Sequence, residues 1–135
     1  MNEAQGIHLQ NTLLALDKTL YELKALLGTP DVTGALFFWI NPLKKHQKEK
    51  AEGVIRQIES DLKQLAHRFG WTTAREDLLG QIQGHLHMHW TRLEDARPKS
   101  LKHYGEVDQA TQTLLDPALD QLTDRVNELL KTLIV

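Results

Sequence analysis

The sequence predicts an all-α fold, an antiparallel four-helix bundle with a short additional helix near residues 98–105. Two observations predict it. Four segments repeat apolar residues at helical spacing, and no segment shows the sustained apolar–polar alternation of a half-buried strand. Because a chain of 135 residues without a low-complexity linker fits one domain, we expect residues 1–135 to form a single helical bundle.

The first two predicted helices are bounded by glycine, proline and asparagine. The first carries a leucine seam with spacings of four and three residues, typical of an antiparallel bundle or coiled coil. The seam consists of Leu9, Leu13, Leu16, Leu20, Leu23 and Leu27. We expect Gly28 to end this helix in a left-handed conformation. The second helix is predicted to begin at Asn41-Pro42, an N-cap followed by a favourable first residue, and to end at Gly70.

The third and fourth predicted helices follow similar signals. Thr73 and Glu76 form a capping-box pattern that predicts the start of the third helix, and Pro98 ends or bends it. Its predicted core stripe consists of Leu79, Ile82, Leu86 and Leu93, with Trp90 on one flank. The fourth helix repeats the leucine spacing of the first, and Asp116-Pro117 is predicted to start it afresh or to kink it.

Composition excludes several classes of function. The formal net charge of −2 gives no global field that steers the chain to nucleic acid or membranes. The absence of cysteine excludes disulfides, thiolate zinc and thiol catalysis. The first ten residues lack a secretory signal pattern, and the longest apolar run, ALFFWI, is too short to span a bilayer. We expect a cytoplasmic protein with no membrane span and no cofactor.

The segment GHLHMHW, residues 84–90, raises the question of a metal site. On a helix His85 and His89 share one side, whereas His87 points elsewhere, so only the first two could chelate one ion. No glutamate lies three residues before any histidine, which removes the ferritin-like di-iron pattern. We predict no metal, with a metal-binding bundle using His85 and His89 as an alternative. His89 is expected to be the most buried of the three and hydrogen-bonded, and His87 to be exposed or at a subunit contact.

A strip of small residues lies on another side of the same helix. It consists of Gly80, Gly84, His87 and Thr91. Two glycines inside a soluble helix cost about 1 kcal/mol each relative to alanine, so the close approach of another helix would compensate. We predict that this strip is a dimer contact and that the protein is a homodimer.

An aromatic run and a lysine cluster follow one another along the chain. Phe37, Phe38 and Trp39 lie between two predicted helices, where they either plug the open end of the bundle or form a partner groove or a membrane-surface wedge. Lysines occupy the first turns of the second helix, where we expect them to protrude into water or meet an anionic partner. The predicted partner-binding residues are Phe37, Phe38, Trp39, Lys44, Lys45 and Lys48.

The segment RPKSLKHYGEVD, which begins at Arg97, offers one enzymatic possibility. Its arginine and His103 resemble the Arg-x(4–6)-His motif of HEPN-type ribonucleases, small helical toxins and RNA-processing domains. The resemblance implies an RNA-cleaving dimer in which Arg97 and His103 are catalytic and Tyr104 supports them.

The sequence favours a non-catalytic interaction or regulatory module, acting as a homodimer and binding a protein partner. No convergent set of nucleophile, base and oxyanion donors can be assembled from its motifs. The alternatives are the HEPN-like ribonuclease and the metal-binding bundle, and nucleic acid is expected as a partner only in the former.

Overall fold

The computed structural model describes residues 1–134, and it confirms the all-α class. Five α-helices and one short 3-10 helix dominate this part of the chain, and the only strands in it are two residues long. The fold divides into two compact units, unit 1 at Met1–Thr73 and unit 2 from Ala74 onward. Each unit contains one pair of long helices, so the single domain and the four-helix bundle stay predictions.

Unit 1 pairs helix α1, Glu3–Leu27, with helix α2, Lys45–Phe69. The start of α1 is a capping box, in which the Asn2 side chain accepts the backbone N–H of Gln5 at 2.8 Å and the Gln5 side chain accepts that of Asn2. Leu20 of the leucine seam and Ile55 of α2 are buried. At the polar edge, Lys24 Nζ lies 3.0 Å from each Glu59 carboxylate oxygen. A small apolar core and one ion pair therefore hold the two helices together.

The ends of α1 and α2 confirm one predicted cap and correct two. Gly70 is left-handed, with φ 68° and ψ 26°, and ends α2 as predicted. Gly28 was expected to be left-handed as well, but its φ of −86° is right-handed, so that expectation is wrong. The start of α2 at Asn41 is also wrong. Lys44 is the N-cap, because the Asn41 side chain donates instead to the carbonyl oxygens of Leu27 and Thr29, at 3.2 and 2.7 Å.

A β-hairpin that the sequence analysis did not predict lies between α1 and α2. Strand β1, Val32–Thr33, pairs antiparallel with strand β2, Phe38–Trp39. The Gly34 N–H donates to the Phe37 carbonyl oxygen at 2.9 Å and closes the turn. Strands of two residues are too short for alternation to show in a sequence.

Unit 2 contains α3, Leu78–Asp95, α4, Pro98–Leu101, and α5, Gln109–Thr132, with a 3-10 helix at Lys102–Tyr104. The short helix near 98–105 is thus confirmed, and Pro98 is its first residue. The Thr73–Glu76 start of α3 is wrong, because Asp77 is the N-cap and accepts the Leu79 N–H at 2.8 Å. A fresh start at Asp116-Pro117 is also wrong, because Asp108 caps α5 eight residues earlier and the helix continues through Pro117.

The face that α3 turns towards α5 differs from the predicted stripe. Its partly buried residues recur at intervals of three and four positions. They are Leu79, Gln83, Leu86, Trp90 and Leu93. Ile82 was placed in the core but is 44% exposed. Trp90 has the largest apolar side chain of the helix, and burying it turns the face away from Ile82 and His89.

Replacing Leu20 by alanine tests the small core of unit 1. Leu20 is only 3% exposed, so we expect the free energy of unfolding to fall by about 2–4 kcal/mol. The neighbouring Tyr21 is exposed, and its replacement by alanine should change stability by less than about 0.5 kcal/mol. Urea unfolding followed by circular dichroism measures both. Equal losses in the two variants would contradict the placement of α1.

The N-cap of α5 gives unit 2 a defined acid sensitivity. The Asp108 carboxylate accepts the Thr111 backbone N–H at 2.8 Å and the Thr111 hydroxyl at 3.0 Å, and these bonds lower the pKa of Asp108 below its usual value. A carboxyl whose pKa is lowered by folding stabilises the fold above its unfolded pKa, and this contribution disappears as pH falls through the folded pKa.

The Asp108→Asn variant isolates this charge, because asparagine keeps the cap acceptor. We expect wild type to melt at a higher temperature than the variant at neutral pH, and the difference to vanish in acid below the folded pKa of Asp108. Thermal melts across this pH range test it, with Asp124→Asn on the same helix as control. A difference that persists unchanged in acid would contradict the assignment.

Candidate interaction surface on the hairpin of unit 1

The base of the hairpin is closed by Asn41, which occupies the end of α1. Besides its two shorter bonds to α1, its Nδ2 lies 3.4 Å from the Leu26 carbonyl oxygen. Its backbone N–H donates to the Asp31 carboxylate at 2.8 Å, and its side-chain oxygen accepts the Leu43 N–H at 3.3 Å. The bond to Leu27 satisfies a carbonyl that the helix end leaves unpaired, and the bond to Thr29 ties down the first residues after the helix. They also bring the two ends of the hairpin segment together, so residues 32–40 extend from a fixed base.

The tip of this hairpin, defined as Leu36–Ile40, is apolar and exposed. Leu36 is 99% exposed, and the four residues after it are between 48% and 66% exposed. The rings of Phe37 and Trp39 form a tilted pair with centroids 4.9 Å apart. Gly34 permits this arrangement, because a Cβ there would overlap the Phe37 ring. The predicted aromatic residues therefore form a surface, and they do not plug the end of a bundle in the described structure.

Both faces of the tip carry apolar side chains. Alternate residues of an extended segment point to opposite faces, so Phe37 and Trp39 share one face and Phe38 and Ile40 the other. A sheet that covers one face with its own core leaves the other face polar. The tip has no polar face, so an occupant that contacts only one side would leave apolar surface in water.

The predicted lysines lie directly after the tip. The basic cluster consists of Lys44, Lys45, Lys48 and Lys50, at the N-cap and in the first turns of α2. Lys45 has a side chain 91% exposed, and its Nζ lies 3.9 Å from a Glu49 oxygen, the limit of an ion pair. The other three lysines form no ion pair within residues 1–134. Their charges add to the positive end of the helix dipole.

A shallow groove of about 240 Å³ runs along the base of the hairpin. Its lining residues are mostly apolar: Leu26, Thr29, Pro30, Trp39, Ile40, Asn41, Pro42 and Leu43. Pockets for drug-sized ligands usually enclose about 300–1,000 Å³. The groove is thus suited to one or two side chains or part of an acyl chain.

The three histidines of the segment 84–90 are all exposed. The expectation that His89 lies at the core edge in a hydrogen bond is wrong, because Trp90 turns the α5-facing side of α3 away from it, and its imidazole forms no hydrogen bond within residues 1–134. His85 and His89 remain an i, i+4 pair on the surface. Among the described residues no three His, Asp or Glu side chains lie close enough to hold one ion.

The predicted dimer strip is also exposed. A Cβ built on Gly80 or Gly84 would meet no atom within 4 Å. His87 and Thr91 are exposed beside them, and the Thr91 hydroxyl donates to the His87 carbonyl oxygen at 3.1 Å. Within residues 1–134 no helix packs closely against the two glycines. A close helix contact within this chain, which was expected to offset the cost of placing two glycines in a helix, is therefore not present. The contact with a second copy stays a prediction.

Arg97 is held by two carboxylates. Its Nε and Nη2 donate to the Glu94 oxygens at 3.0 and 3.1 Å, and its Nη1 donates to Asp120 Oδ1 at 2.6 Å. The bonds to Glu94 and then Asp120 raise the pKa of Arg97, so it stays a cation and links the end of α3 to α5. No hydrogen bond joins it to His103 within the described chain, and His103 and Tyr104 are exposed. The structure therefore gives Arg97 a structural role and does not assemble the pair that the ribonuclease motif implies.

Neither sequence nor fold places the chain beside a known protein. No family model matches it, and no curated protein or solved structure is significantly similar to it. Within residues 1–134 no helix combines the length and apolarity that crossing a membrane requires.

The Arg97→Gln variant tests whether Arg97 stabilises unit 2 through its bonds to Glu94 and Asp120. Because Glu94 and Asp120 would then lose their shared cation, we expect a lower melting temperature of unit 2. His103→Gln should leave the melting temperature unchanged, and Arg92→Gln on the same helix serves as a control for lost charge. Calorimetry measures all three. An unchanged melting temperature in Arg97→Gln, or an equal loss in His103→Gln, would contradict this role.

Proposed function

We propose that the chain is a non-catalytic interaction module that docks another molecule through the tip and the basic cluster of unit 1. The observation that carries the proposal is the tip itself, five consecutive apolar residues with Leu36 fully in water. A contiguous exposed apolar surface beside charged residues is typical of an interaction site. The closed base at Asn41 supports the proposal, because a preorganised surface loses less conformational entropy on binding.

The enzymatic alternatives receive less support from the described geometry. The Arg97 nitrogens are occupied by Glu94 and Asp120, whereas an arginine that holds a phosphate needs donors to spare. His85 and His89 have no third ligand among the described residues. Both alternatives stay predictions without an assembled site.

The homodimer and the four-helix bundle belong to the same proposal. Both α1 and α5 expose large apolar residues that a further helix pair, including that of a second copy, could cover. These are Leu16, Leu23 and Leu26 in α1 and Leu114, Leu122 and Leu129 in α5. The protein partner and the cytoplasmic location predicted from the sequence remain predictions.

A fractionation experiment tests the docking function whatever the occupant is. The tagged chain is expressed in the cells from which the sequence derives, and lysates are separated by gradient sedimentation. We expect wild type to sediment with membranes or in a soluble assembly larger than the chain or its dimer. Leu36→Ser/Phe38→Ser should remain at the top of the gradient, because it removes apolar contact area from both faces of the tip.

Leu78→Ser provides the matched control, because Leu78 is an exposed leucine at the start of α3 in unit 2 and belongs to neither the tip nor the apolar residues of α1 and α5 named above. It should sediment as wild type does. Wild type that sediments only as free chain or dimer, or equal loss in the tip variant and the control, would overturn the docking function.

A further inference from the structure

We propose that the molecule docked by the tip is the surface of an anionic lipid membrane. The inference rests on the proposed function, that the tip and the basic cluster form a docking surface, and it names the chemistry of the occupant. The tip would enter the apolar side of the headgroup region while the basic cluster meets the negatively charged headgroups.

The tip is apolar on both faces. Phe37 and Trp39 lie on one face and Phe38 and Ile40 on the other, with Leu36 at the end. A protein groove that covers one face would leave the second face in water. A lipid interface surrounds an inserted hairpin on all sides, so it removes both faces from water together.

The length of the hairpin also suits a membrane interface. An extended strand advances about 3.3 Å per residue. Gly34 is bonded to Phe37 one step beyond the Thr33–Phe38 pair, and Ala35 and Leu36 form the turn, so the hairpin extends roughly 5–7 Å beyond that pair. Segments that lie in the membrane interface are typically buried by about 5–10 Å. The hairpin is thus long enough for the interface and far too short to span the bilayer.

The charges beside the tip complement those of an anionic membrane surface. Lys44 and Lys45 follow the tip within a few residues, and Lys48 and Lys50 are one turn further along α2. Of the nearby carboxylates, Asp31 accepts the Asn41 N–H and Glu49 lies at the limit of an ion pair with Lys45. Glu52 lies four residues after Lys48, so between residues 44 and 52 four lysines outnumber two glutamates. Lysines beside an interfacial tryptophan are the combination by which peripheral proteins bind anionic bilayers.

Vesicle binding of the full chain tests the proposal. The probes are vesicles of phosphatidylcholine alone and of an equal mixture with phosphatidylglycerol. We expect binding to the mixed vesicles, weakening with salt, and little binding to phosphatidylcholine. Lys44→Gln/Lys48→Gln should weaken binding about fivefold for each lysine removed. Leu36→Ser/Phe38→Ser should weaken it by about tenfold or more.

Matched variants control for charge and folding. Lys63→Gln/Lys131→Gln removes the same charge outside the basic cluster, and Leu78→Ser removes an exposed leucine elsewhere. Both should bind as wild type does, with circular dichroism spectra unchanged in every variant. Equal weakening by Lys63→Gln/Lys131→Gln would mean that net charge alone drives binding, and it would overturn the role of the basic cluster.

Quenching by brominated phosphatidylglycerol reports insertion directly. Trp39 is the only tryptophan of the tip, so we expect tryptophan fluorescence of wild type to be quenched on binding and that of Trp39→Phe to be quenched much less. Equal quenching of both would overturn insertion by the tip.

The two proposals fail in different ways. If the chain binds neither vesicle type but the tip variant leaves a soluble assembly in the gradient experiment, the lipid inference is wrong and a protein occupies the tip. If the tip variant behaves as wild type does in both vesicle binding and gradient sedimentation, the docking function is wrong as well.

Discussion

The hydrogen bonds of the Asn41 side chain are the constraint on which the architecture of unit 1 depends. They join the end of α1 to the chain that returns from the hairpin, while the backbone N–H of the same residue binds Asp31. Polar bonds thus fix the base of the hairpin, and no apolar core is needed beneath its tip. For this reason the short segment between α1 and α2 can expose five apolar residues to water close to the start of α2.

The helix pairs of both units also bury few residues. Among the described residues the buried ones are Leu20, Ile55, Leu119, Pro98 and Thr123. The Thr123 hydroxyl and the Trp90 indole N–H have no hydrogen-bond partner in the described chain, and an unpaired buried polar group costs about 1–3 kcal/mol. Two ion pairs add polar contacts to this small core, Lys24–Glu59 between α1 and α2 and Arg97–Asp120 at α5.

The sequence was sufficient for the features that depend on local residues. The leucine seam of α1, the left-handed Gly70 and the break before Pro98 were all predictable, because helical periodicity and backbone conformation act within a few positions. Asn41 was misassigned because an Asn-Pro pair fits the start of a helix equally well, and its true acceptors lie twelve to fifteen residues earlier. His89 was misplaced for a similar reason, since which flank of α3 is covered depends on how α5 packs against Trp90. The aromatic and lysine residues of the site were identified, and the lysines were expected to protrude into water. The hairpin that exposes the aromatic residues was not predicted, because two-residue strands leave no periodic signal.

The central claim is that the closed base of the hairpin, rather than the composition of the tip alone, makes the tip a docking surface. Vesicle binding by Asn41→Ala tests it most directly, because this variant keeps every residue of the tip and of the basic cluster. The account predicts that the variant retains the helical circular dichroism spectrum but binds phosphatidylglycerol vesicles several-fold more weakly, since the tip must then be ordered during binding. Binding equal to that of wild type would contradict the account and would show that an unconstrained apolar and basic segment is sufficient.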